Sequence, residues 1–106
     1  MKGCTYMETK ELMKLSELFK CFSDSTRLRM LELLLKESLS VGDIASQLDI
    51  SQSLVSHQLK YLKDLHFVKS DSVGKKHIYA IADDHIKIIL EYGLEHIREE
   101  DLYEKI

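Results

Sequence analysis

The sequence predicts a mainly α-helical single domain with one small β-hairpin, in the order ααααββα. Three observations carry this. Apolar residues recur at three- and four-residue spacing through 7–65 and again through 83–100. The period drops to two between Phe67 and Ile81, as in a strand pair. Proline is absent from all 106 residues, which suits helices joined by short turns. A chain of this length buries a modest core, and a dimer interface would add useful burial.

Charge divides the chain by task. The net charge of −3 conceals a middle segment, 51–80, at +3 and an end, 81–106, at −5. The middle suits a polyanion, and the end suits cations. Cys4 and Cys21 make neither a disulfide framework nor a CxxC pair. Cys21, on an apolar corner, reads as a small buried hydrophobe. With no signal peptide, transmembrane run or low-complexity tail, a soluble cytoplasmic protein without a membrane partner is expected. No Gly-rich phosphate loop or nucleophile elbow occurs, so neither an enzyme nor a small-molecule substrate is expected.

The first helix covers 7–21, with Leu12, Leu15, Leu18 and Phe19 at helical spacing. Ser23 is the expected N-cap of a second helix that ends near Glu37 and buries Leu28, Leu31, Leu34 and Leu35. Ser40 opens a short third helix, with Asp43 three residues on as a variant capping box. Ser51 caps a fourth helix, 52–65, with Leu54, Val55, Leu59 and Leu62 inward. Two helices across a tight turn form a helix-turn-helix over 41–65. Its second helix turns Gln52, Ser53, Ser56, His57 and Lys60 outward. Those are short or amide side chains for base edges, with donors for phosphates. Strands at 67–71 and 76–81 then flank a Ser72-Val73-Gly74-Lys75 turn, with a positive φ expected at Gly74. After a helix-turn-helix this hairpin, 67–81, reads as a wing, with Lys75 and Lys76 at its tip for the phosphate backbone.

The last helix, 83–100, places its polar residues unusually. Asp83 is positioned as N-cap. At about 100° per residue, His85 and His96 fall within roughly 20° of each other and Glu99 within about 40° of His85. Ile89 and Tyr92 share that face. Ile86, Leu90, Leu94 and Ile97 form a second stripe, read as the side turned to the chain's own core. One stripe is the norm for a surface helix. The two histidines are about 16 Å apart along the axis, too far for one ion. An antiparallel second copy would bring Asp83 and His85 of one chain to His96 and Glu99 of the other, a tetrahedral zinc set made twice. Gly93, near the pairing centre, permits close approach. An N-cap aspartate and two solvated histidines explain the same residues without a metal.

Phe22-Ser-Asp-Ser-Thr-Arg-Leu-Arg-Met-Leu31, Leu39-Ser-Val-Gly-Asp-Ile-Ala45 and Ile50-Ser-Gln-Ser-Leu-Val-Ser-His-Gln-Leu-Lys-Tyr-Leu62 closely resemble the ArsR/SmtB family of metal-sensing repressors. The resemblance runs from about residue 12 to 100. It implies a homodimeric winged helix-turn-helix whose helices 7–21 and 83–100 form the interface. It also implies a two-fold symmetric double-stranded DNA operator, bound without metal and released with it. Val41, Gln52, Ser53, Ser56 and His57 match the family's DNA-reading positions. The family's Cys-Val-Cys motif reads Ser40-Val41-Gly42 here, which argues against soft-metal sensing through thiolates. The Asp-x-His…His-x-x-Glu pattern of the last helix matches at Asp83, His85, His96 and Glu99, including its ten-residue gap. Ser25 stands where the family often has proline.

The expected function is therefore a zinc-responsive repressor. Both imidazoles must be neutral to ligate, so affinity should fall below about pH 6–6.5. Two nitrogens with two carboxylates suit zinc, whereas cobalt or nickel, also possible, prefer added ligands. The rival expectations are a repressor of the same fold that answers nickel or cobalt, thiol redox, or pH through the same histidines.

Overall fold

The computed structural model describes residues 6–99. Its elements are α1 (Thr9–Phe22), α2 (Ser25–Lys36), β1 (Leu39–Ser40), α3 (Val41–Leu48), α4 (Gln52–Asp64), β2 (Val68–Val73), β3 (Lys76–Ile81) and α5 (Asp84–Glu99). The strands form one antiparallel sheet in the order β1-β3-β2. The fold is a winged helix-turn-helix. The expected order ααααββα lacks β1, which pairs Leu39 with Tyr79 and Ser40 with Ile78. A two-residue strand is too short to show alternation.

Polar side chains set the helix starts. Asp24, not Ser23, caps α2: its carboxylate accepts from the Arg27 amide at 2.9 Å. The Ser23 hydroxyl is occupied in closing α1, donating to the Lys20 carbonyl at 2.7 Å. Ser40 and Asp43 form the expected reciprocal pair at α3, at 3.1 and 3.4 Å. Ser51 caps α4 through the Leu54 amide at 3.1 Å. Between α3 and α4 the chain reverses through Asp49, at φ 56°. At the far end of α4, His66 takes φ 64° while the Phe67 amide reaches back to the Leu62 carbonyl at 2.8 Å. That is a Schellman closure with histidine in the usual glycine place.

The first strand of the wing starts one residue later than expected and runs two residues further, to Val73. The strands pair from Val68–Ile81 to Val73–Lys76, leaving a two-residue turn, Gly74-Lys75, in place of Ser72 to Lys75. Gly74 has φ 64° and Lys75 is not left-handed, the sign pattern of a II′ hairpin turn. Lys75 therefore sits at the tip and Lys76 on the first strand pair.

The core gathers Cys21, Met30, Leu31, Leu34, Ile44, Val55, Leu59, Leu62, Phe67, Val68 and Ile86. Phe22 packs against Phe67 with the rings tilted at 58° and their centroids 4.8 Å apart. Several expected core residues lie elsewhere. Leu28 and Leu54 are exposed and Leu35 is half-buried, because α2 and α4 each bury a narrower stripe than their leucines suggest. On α5 only Ile86 is buried, Leu90 is half-buried, and Leu94 and Ile97 are open. On α1, Leu12, Leu15 and Phe19 are exposed as well. The stripe of α5 read as core is therefore mostly an uncovered face.

Candidate DNA-binding surface and metal-ligand pairs

Helix α4 buries Val55, Leu59 and Leu62 and leaves Gln52, Ser53, Ser56, His57 and Lys60 exposed. Ser53, Ser56, His57 and Lys60 follow i, i+3, i+4, i+7 spacing, so they form one outward ridge. A major groove admits a helix that presents such a ridge. Lys60 is held within the chain by Asp64, Nζ to Oδ2 at 3.3 Å. Both side chains are well exposed, so the pair is weak and yields to a phosphate at small cost.

Val41, expected among the DNA-facing residues, is half-buried and packs on the core. It also lines a recess of about 440 Å³ with Gly42, Asp43, Ser56, Lys76 and His77. This recess joins α3, α4 and the wing into one concave face. Asp43 is held below the usual carboxylate range by its hydrogen bonds with the Ser40 hydroxyl and backbone, with a further contribution from the Lys76 charge. Lys76 shares the recess with this carboxylate, and both Lys76 and Lys75, at the tip, are exposed. The Lys63 ammonium donates to the Ser70 hydroxyl at 2.7 Å, tying the end of α4 to the wing. Sequence reasoning missed that tie, because nothing local links a helix lysine to a strand serine.

The metal-ligand candidates fall into two pairs. At the start of α5, Asp83 Oδ1 accepts from the His85 and Ile86 amides at 2.9 and 3.3 Å. The same oxygen lies 3.4 Å from His85 Nδ1, and the His85 side chain is 86% exposed. At the other end, His96 and Glu99 lie exposed in the last turns of α5. Among the described residues, no three His, Cys, Asp or Glu side chains converge within one chain. The structure therefore brings together neither all four residues nor any three of them. The donor types still fit zinc, as two imidazoles and two carboxylates on water-accessible helix ends.

Around α5 from the ligand pairs runs apolar surface. Phe19, Phe22, Leu28, Ile89, Leu90, Gly93, Leu94 and Ile97 line a groove of about 260 Å³ between α1, α2 and α5. Nothing within 4 Å would meet a Cβ added at Gly93. Cys21 is fully buried, and that burial raises its thiol above the ordinary value despite the opposing Arg27 charge. Cys4 and Glu100 lie outside the described residues. No helix among the described residues is long and apolar enough to cross a membrane.

Comparison with known proteins agrees with this architecture. Residues 24–70 match the family model described as bacterial regulatory protein, arsR family. A Synechocystis protein described as a transcriptional repressor SmtB homolog is 33% identical over 95 residues, covering 90% of this chain and 72% of the relative. A Staphylococcus aureus cadmium resistance transcriptional regulatory protein, a CadC homolog, is 35% identical over 88 residues, covering 82% and 73%. The crystal structure of AntR, an antimony-specific transcriptional repressor, superposes with a TM-score of 0.78 at 31% identity, covering 90% and 86%.

Proposed function

The chain belongs to the ArsR/SmtB family of metal-sensing winged helix-turn-helix repressors, and from that premise we propose that it is a zinc-responsive repressor working as a homodimer. The observation that carries the reading is the arrangement of α5. Two exposed ligand pairs, Asp83 with His85 and His96 with Glu99, stand at opposite ends of one helix whose apolar face is largely uncovered. Two copies paired antiparallel along the Ile89 and Tyr92 face of α5, with α1 completing the interface, cover the exposed Tyr92 ring. They also unite Asp83 and His85 of one protomer with His96 and Glu99 of its partner.

Without metal, each protomer sets the α4 ridge of Gln52, Ser53, Ser56, His57 and Lys60 into a major groove of a symmetric operator. Val41 and Gly42 approach from the start of α3, and Lys75 and Lys76 reach the flanking phosphates. Bound zinc would be held at each of two symmetric sites by Asp83 and His85 of one protomer with His96 and Glu99 of its partner, which joins the two α5 helices. The ligand pairs, now fixed across the interface, hold the protomers in an arrangement whose α4 helices no longer match half-sites about one turn apart. A coupling of about 1–3 kcal/mol, reciprocal between zinc and DNA, is enough for a useful switch. The same reciprocity means that operator DNA weakens zinc binding.

A different inducer is the second reading, and the likeness to a repressor described as antimony-specific favours it. Against a thiolate version stands the buried, protonated Cys21. A gel shift on the chain's own upstream DNA separates the readings. Zinc releases the DNA and a chelator restores the complex. DNA retained at saturating zinc would sink the proposed sense of regulation.

A further inference from the structure

We propose that Arg27 is a positioning residue for DNA recognition, fixing the roll of α4 against the C-terminal end of α1. The inference rests on the DNA-binding reading above. Arg27 is the third residue of α2 and falls in line with the buried Met30, Leu31 and Leu34. Its side chain turns across the domain. Nε donates to the Cys21 carbonyl at 2.9 Å and Nη2 to the Lys20 carbonyl at 3.3 Å. Nη1 donates to Gln58 Oε1 at 3.3 Å, and the guanidinium carbon lies 4.6 Å from the centroid of the Tyr61 ring. One planar group therefore holds the carbonyls that end α1 and two side chains on the recognition helix.

The chemistry suits the task. Carbonyls at a helix C-terminus carry partial negative charge and favour a cation. A guanidinium presents its donors in a rigid fork and stacks on an aromatic face, which a lysine ammonium does not reproduce. The apolar contacts of α4, through Val55, Leu59 and Leu62, set its depth but are non-directional. Gln58 and Tyr61 are neighbours at i, i+3, about a quarter turn from His57 and Lys60. A roll of α4 that redirected the DNA ridge would pull both from Arg27. Because α1 is also part of the proposed dimer interface, the same clamp ties protomer arrangement to the aim of α4.

Two measurements test this. In the DNA-free protein, Arg27→Lys is expected to shift the amide signals of Lys20, Cys21, Gln58 and Tyr61. Unmoved α4 signals would overturn the clamp. In binding assays at fixed salt, Arg27→Met is expected to lower the ratio of operator to non-specific affinity about tenfold. Gln58→Leu should lower it less, and the double variant no more than Arg27→Met alone. The salt dependence should keep its slope, because Arg27 touches no phosphate; a slope reduced by about one would make it a DNA contact instead. Additive losses in the double variant would also overturn the proposal. If Arg27→Met does not fold, as judged by melting, Arg27→Lys takes its place in the same cycle with Gln58→Leu. Were the unmodified chain to show no operator preference, the functional reading and the positioning role would fall together. The clamp itself would still be decided by the amide spectrum.

Discussion

His85 and His96 occupy the same side of α5, eleven positions and about 16 Å apart, one in its first turn and one near its end. Each has a ligand carboxylate within three positions, Asp83 two before His85 and Glu99 three after His96. One helix thus holds two half-sites that cannot meet within a chain, with Ile89 and the exposed Tyr92 between them on the same face as packing for a second chain.

The recognition helix should be sensitive to its cap. Ser51→Ala removes the acceptor of the Leu54 amide. A loss of about 1 kcal/mol is expected, roughly 5 °C in Tm. Urea unfolding checks it, and a midpoint unchanged from the parent chain would remove the cap from the account.

Asp43 gives the fold a pH signature. Its carboxyl is held low in the folded chain, first by Ser40. Its stabilisation is therefore present above the ordinary carboxylate value and is lost as pH falls through the lower folded one. Compared by melting, the parent should exceed Asp43→Asn near neutral pH, with the gap closing on acidification below about pH 4. A gap that widened in acid would reverse the assignment. The same variant relieves Lys76 of the carboxylate that shares its recess, so DNA binding should tighten.

The wing lysines should contribute to affinity and not to sequence choice. Lys75→Ala is expected to weaken operator and unrelated DNA alike and to reduce the salt slope by about one. Lys76→Ala should do less, because Asp43 already shares its charge. Binding across a salt series measures both, and a change in base preference with either variant would contradict this role.

Cys21 should be silent. Burial keeps its thiol protonated and out of reach, and the thiolate is the reactive form. Alkylation located by peptide mass should reach Cys21 only as the chain unfolds. Cys21→Ala should keep the responses to zinc and DNA. Rapid native labelling, with loss of DNA binding, would revive the redox reading.

Much of the fold is legible in the sequence, for reasons that are local. Ser40 and Ser51 announce helix starts because a serine hydroxyl caps the amide three residues on, and Gly74 announces a turn because few other residues accept its φ. Ser23 and Asp24 could each cap α2, and only the carbonyl of Lys20, three residues back, decides between them. Leu54, Leu94 and Ile97 carry the right spacing for a core, yet periodicity names a face without naming what covers it. The four ligand candidates are legible as a pattern on α5, while their meeting depends on a second chain. Arg27 is missed, although an arginine in line with Met30, Leu31 and Leu34 signals an internal partner. That partner lies 31 positions on, at Gln58.

The central claim is that one zinc site is built from two protomers, and mixing two variants tests it most directly. His85→Ala and His96→Ala homodimers should each lack tight zinc binding, because every site loses one imidazole. Refolded together, they form mixed dimers in which the intact His85 of one protomer faces the intact His96 of its partner. Zinc titration against a competing chelator should then recover about one tight site per mixed dimer. Recovery of that site is the predicted result; a mixture that binds no more zinc than its two parents would contradict the shared site.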